Sequence, residues 1–191
     1  SAKDLPEDTE PGLESSYTYD PRGFAFSYGS VAAVVEIDRD TGAVSVQRLV
    51  FGHDCGVQLN PGNVAAQIIG GVAQGIGAAL YEQLPYNDEG HPVVQSLWDY
   101  FPPLPANMPP VELVHIETPS PFSLNGAKGA GESGVIPIPA AVANAIRDAL
   151  SGAVAECAVK GSVVDSIPIT AENLLAALDQ QHTTTQPRER T

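Results

Sequence analysis

The stretch Gly126-Ala127-Lys128-Gly129-Ala130-Gly131-Glu132-Ser133-Gly134 places four glycines in nine residues. Such a run has no place in a helix or strand interior. It gives a backbone that can take positive φ and lets another molecule approach closely. One lysine and one glutamate sit inside it. Glu132 lies between Gly131 and Gly134, with only Ser133 for local polar company. A glutamate held there beside a bound group is better placed for proton transfer than for a surface salt bridge. Pro137 and Pro139 stiffen the exit, and Ala140 to Leu150 carries a helical pattern.

Two plainer readings of the stretch stay open at this point. One is a structural glycine loop with Glu132 solvated. The other is a nucleotide cradle, since Gly129-x-Gly131-x-x-Gly134 fits the dinucleotide fingerprint. That fingerprint also needs a strand running into its first glycine and a helix opening inside it. Here the strand candidate Val111 to Thr118 ends well before Gly129, and the two prolines delay the helix.

Upstream, Tyr17, Tyr19, Phe24, Phe26 and Tyr28 alternate around Pro21-Arg22-Gly23, which suggests extended chain packing its aromatics on one side. Val31–Ile37 and Ala43–Val50 read as strands joined by Asp38-Arg39-Asp40-Thr41-Gly42, a hairpin with good turn chemistry. Asp54, just beyond, is either a turn residue or lines a site. The longest helical pattern runs from Pro61 to about Leu84, with Asn60 as cap and Pro61 at the first position. Its glycines, Gly62, Gly70, Gly71, Gly75 and Gly77, weaken a helix but permit close approach of a backbone or ligand. Gln67 and Gln74 fall on nearly the same face. They either face solvent or meet the edge of a heterocycle, since an amide donates and accepts together. Val93–Leu97 is a short strand candidate, Asp99–Pro110 an irregular proline-rich loop, and Val111–Glu117 a half-buried strand. A last short helix begins at Thr170 and runs to about Leu178. The expected division is an acidic arm over 1–15, one domain over 16–179 and a frayed polar tail over 180–191. The fold class is α+β: a short mixed sheet with two long helices, and the glycine loop before the second.

The net charge of −14 argues against nucleic acid or an anionic membrane surface as partner. No apolar run looks long enough to span a bilayer, and no signal peptide is visible, so a cytoplasmic setting is expected. The chain opens at Ser1 without Met, which suits a piece of something longer or a separately made chain. The two cysteines, Cys55 and Cys157, are far apart in sequence and read as isolated thiols. His53, His91, His115 and His182 show no recognised metal-ligand spacing, so no protein-held metal is expected.

Three stretches together resemble the C-terminal molybdenum-cofactor-binding domain of the xanthine dehydrogenase, aldehyde oxidase and carbon monoxide dehydrogenase family, the molybdenum hydroxylases. They are Asp54-Cys55-Gly56 through Asn60-Pro61, Gln67 through Gly77 and on to Glu82, and Gly126 through Glu132. Their order and spacing agree with the family from about Tyr28 to Leu150. The resemblance implies that Glu132 is the general base beside molybdenum. It implies that Gln67 hydrogen-bonds the pterin and that the backbone at Lys128, Gly129, Ala130 and Gly131 wraps the cofactor; Asn63 and Ala66 are weaker candidates for contact. The implied cofactor is molybdopterin, as its cytosine dinucleotide, whose own sulfurs hold the metal. The implied reaction hydroxylates an aldehyde or an N-heterocycle with water-derived oxygen. Electrons would leave through 2Fe–2S clusters and FAD on partner chains, and the rest of a molybdenum subunit would complete the pocket. Two other functions remain: a NAD- or FAD-binding domain using Gly129, Gly131 and Gly134, and a non-catalytic assembly module that retains Glu132.

Overall fold

The computed structural model describes Gly12, residues 14–153 and residues 164–184, with side chains described up to residue 151 in the second helix and 178 in the last. Cys157, His182's side chain and most of the expected arm and tail fall outside the described residues. The chain forms β1 (Tyr28–Ile37), β2 (Val44–Asp54), α1 (Pro61–Leu80), β3 (Val111–His115), α2 (Ile138–Ala153) and α3 (Ala171–Thr184). β2 is central, pairing antiparallel with β1 and parallel with β3. This is the expected α+β class with a mixed sheet.

The hairpin forms for a local reason. Asp38 Oδ1 accepts from the amides of Asp40 and Thr41 at 2.9 and 3.2 Å, and Gly42 takes φ +70°. Asn60 caps α1 by accepting the Asn63 amide at 3.0 Å, with Pro61 at the first position. α1 ends at Leu80 rather than Leu84. Gly77 O takes the amides of both Tyr81 and Glu82, and Pro85 disfavours helical backbone at Leu84. α3 runs on to Thr184, past the expected end near Leu178.

One face of the sheet carries the core. Leu49 and Phe51 of β2 meet Ile68, Val72 and Ile76 of α1, and Ile138, Val142, Ile146 and Leu150 of α2. The spacing of three or four residues sets one stripe of each helix against the sheet. Each such side chain contributes about 1.5–3 kcal/mol by leaving water. The other face is open to solvent and mixes exposed valines, Val34 and Val114, with Arg48 paired to Glu112 at 2.6 Å across β2 and β3.

Three expectations need correction. Val93–Leu97 is not a strand: among the described residues its backbone pairing stops at the bond from Val93 N to Pro85 O beside the isolated Tyr86–Pro92 bridge, and Leu97 is exposed. The aromatics before β1 do not pack on the core: Tyr17, Phe24 and Phe26 are exposed, with the two phenylalanine rings stacked on each other at 6.0 Å. Finally, α1 has 20 residues and a mean hydropathy of 1.3, long and apolar enough by length and composition to cross a bilayer. Its buried stripe belongs to the core described above.

Candidate functional site

The glycine loop is fastened to the end of β2. Lys128 N donates to Cys55 O at 2.7 Å, Val57 N donates to Gly126 O at 3.2 Å, and Gly56 bridges Ala127. This crossing requires left-handed backbone on both sides, met by Gly56 at φ +65° and Gly126 at φ +72°.

Asp54 is the hub beneath it. The residue is fully buried, and its Oδ1 accepts from Gly56 N at 2.7 Å, Thr118 N at 3.3 Å and Lys128 Nζ at 3.3 Å. Lys128 Nζ also lies 4.7 Å from the centroid of the Tyr28 ring, whose hydroxyl pairs with Thr118 Oγ1 at 3.1 Å. Burial pushes the Asp54 carboxyl up, but hydrogen bonding from Thr118, Gly56 and Tyr28 outweighs it and holds the carboxyl far below the usual carboxylate range. Asp54 thus serves as an anchor for the loop. Its sequence signature left turn and site roles open. Lys128 turns its charge and its amide inward, so the outer surface of the loop is made by its neighbours.

Beyond Lys128 the loop opens. A Cβ added at Gly129 or at Gly131 would meet nothing within 4 Å. Ser133 Oγ donates to Ala130 O at 2.9 Å, and Val135 N donates to Glu132 O at 3.1 Å, closing a compact turn that leaves the Glu132 side chain exposed in this chain. α1 lies directly against that turn. A Cβ at Gly71 would come within 2.8 Å of the Gly134 backbone, and one at Gly134 within 2.5 Å of Ile68 O. Gln67 precedes Ile68 in the same helix and, like Asn63, Ala66 and Gln74, is exposed. The seam therefore joins the Gln67 turn of α1 to the loop carrying Glu132, with the backbone of Gly129 and Gly131 open nearby.

The dinucleotide geometry is absent here. β3 ends at His115, well before Gly129, and α2 begins only at Ile138, after Gly134. A cleft of about 540 Å³ lies at the opposite end of β2, lined by Val46, Leu80, Tyr81, Met108 and Ile169, and shares no residue with the loop.

Sequence spacing also missed a second grouping. His53 and His115 are register partners on β2 and β3, and Cys55 lies beside them. The signal that finds them is the parallel pairing of the two strands, which no local pattern encodes.

Residues 2–109 match the family described as molybdopterin cofactor-binding domain. The nicotine 6-hydroxylase large subunit of Paenarthrobacter nicotinovorans is 45% identical over 172 residues, covering 90% of this chain and 20% of that protein. The carbon monoxide dehydrogenase large chain of Hydrogenophaga pseudoflava is 41% identical over 128 residues, covering 67% of this chain and 16% of that one. Among solved structures, quinoline 2-oxidoreductase from Pseudomonas putida 86 superposes with a TM-score of 0.81 at 38% identity, over 92% of this chain and 22% of that one. The chain thus spans about a fifth of the length of these relatives.

Proposed function

This chain belongs to the molybdopterin cofactor-binding domain family of the molybdenum hydroxylases, and on that premise we propose that it supplies the general base and one wall of the cofactor site in a hydroxylase of N-heterocycles. The observation that carries the reading is the seam between Gly71 and Gly134, which sets the Gln67 turn of α1 beside the Glu132 loop. The residues fit a pterin-held metal. Gly129 and Gly131 leave room for close backbone approach, Gln67 offers both donor and acceptor, and Glu132 points out of the chain rather than into its core.

When bound, the molybdenum cofactor supplies the two-electron acceptor and an activated, water-derived oxygen. Glu132 would stand beside that oxygen as the proton acceptor for hydroxylation of an electron-poor ring carbon. Gln67 holds the pterin edge, with Asn63 and Ala66 on the same helical turns. The Asp54–Lys128 anchor fixes the base of the loop, so that Glu132 is presented on a rigid support. The form of cofactor proposed is the cytosine dinucleotide. Partner chains carrying 2Fe–2S clusters and FAD would drain the electrons, and the rest of a molybdenum subunit would close the pocket. The N-heterocycle class is favoured over aldehydes by two of the relatives, whose names specify nicotine and quinoline.

The test is Glu132→Gln in the assembled enzyme, assayed with a quinoline or pyridine substrate. Turnover falls at least ~10²–10⁴-fold while molybdenum content is unchanged. Retained turnover removes Glu132 from the chemistry, and an assembly with neither molybdenum nor turnover favours an assembly module.

A further inference from the structure

The core-facing row of the sheet changes chemistry at its end. On β2 it runs Leu49, Phe51, His53, and on β3 it runs Val111, Leu113, His115, partner beside partner in a parallel register. Cys55 follows His53 by two residues and continues the same row. The potential ligand atoms of His53, Cys55 and His115 all lie within 4.8 Å of one another. His53 and Cys55 are each only 2% exposed, and neither ring nitrogen of His53 has a hydrogen-bond partner among the described residues.

A ring buried with both nitrogens unpaired is costly, and another leucine would continue the row without that penalty. Something must take up the His53 lone pair. Imidazole and thiolate together suit a borderline-soft divalent ion.

We propose that His53, Cys55 and His115 bind one zinc-class divalent ion, which clamps the end of β2 to β3 beneath the glycine loop. Zinc bonds of about 2.0–2.3 Å in a tetrahedron put one sulfur and two nitrogens about 3.3–3.6 Å apart, so no pair needs to close by more than about 1.5 Å. Side-chain rotation supplies that. Cys55 binds as the thiolate and releases its proton to solvent, the two histidines bind neutral, and water fills the fourth position. No electron moves. The ion is held by Cys55 Sγ, while Cys55 O is already taken by Lys128 N. The site is separate from any pterin-held metal and does not depend on the role of Glu132.

The experiment uses the assembled enzyme, stripped with a chelator and titrated with Zn²⁺ against a chromophoric competitor, with molybdenum content followed in parallel. One Zn²⁺ per chain binds in the submicromolar range. Zinc-edge X-ray absorption shows one sulfur near ~2.3 Å and nitrogens near ~2.0 Å. Cys55→Ser and His115→Gln each weaken that binding by more than about 100-fold, because even the loss of an outer-sphere partner costs about 10- to 100-fold. Molybdenum content stays constant throughout. The absorption spectrum of the unaltered protein decides the matter if either variant fails to fold. Absence of stoichiometric zinc, a spectrum without sulfur, or unchanged affinity in both folded variants overturns the proposal.

Discussion

Lys128 reaches from the glycine loop to Asp54 at the end of β2, Nζ to Oδ1 3.3 Å, with 8% of the lysine side chain and none of the aspartate exposed. A pair this deep is a constraint on geometry more than a source of net stability. Removing one partner is what costs. Lys128→Met leaves Asp54 charged and buried, and lowers stability by about 3 kcal/mol. In the double variant with Asp54→Asn, the loss is smaller than the sum of the singles by about 0.5–3 kcal/mol. Denaturant unfolding of the four proteins measures the coupling, and strict additivity would show that the contact is incidental.

The same carboxylate sets an acid limit. Its folded-state pKa is depressed, so its contribution is complete above the unfolded value near ~4 and drains away as pH falls toward the folded value. The stability gap between the unaltered protein and Asp54→Asn is therefore flat above about pH 5 and narrows below about pH 4. Unfolding midpoints across a pH series report it. A gap that persists unchanged into strong acid contradicts the hydrogen-bond network assigned to Asp54.

Gly70 and Gly71 are adjacent in α1 but answer differently to a methyl group. At Gly71 the new Cβ meets Gly134 backbone at 2.8 Å, while at Gly70 it meets nothing within 4 Å. Gly71→Ala pushes the loop away and costs about 1–3 kcal/mol, with loss of turnover. Gly70→Ala raises helix propensity by up to ~1 kcal/mol. Thermal midpoints separate the two. A loss of cofactor in Gly70→Ala would mark that glycine as a contact of the cofactor or of the rest of the subunit.

Gln67 is exposed in the chain, so its removal should not disturb the fold. Gln67→Ala releases the cofactor roughly 3- to 10-fold more readily, the worth of about one hydrogen bond. The molybdenum-to-protein ratio after extensive dilution measures this. Full retention would place the pterin elsewhere.

What could be read from the sequence was local. The Asp38–Gly42 turn and the Asn60 cap are written within a few residues, and both form as expected. The long helix was legible in type, while its end was set by Pro85 and the competing amides at Gly77. Contacts between distant segments were not legible. The pairing of β2 with β3 links strands separated by the whole of α1 and the proline-rich loop, and with it went the closeness of His53 to His115. The resemblance concerns the backbone at Lys128; its side chain pairs with Asp54, a partner no spacing rule connects to it. Val93–Leu97 carried a strand composition, but the pairing beside it goes no further than the isolated Tyr86–Pro92 bridge.

The abutment of Gly71 on Gly134 has a bearing on how this scaffold can be altered. Both positions already hold the smallest residue there is, so neither can shrink to make room for growth in the other, and the helix-to-loop junction is closed to compensating change. Gly129 and Gly131 are under no such restriction from within the chain. An engineer seeking new specificity would leave the junction untouched and vary the outer rim.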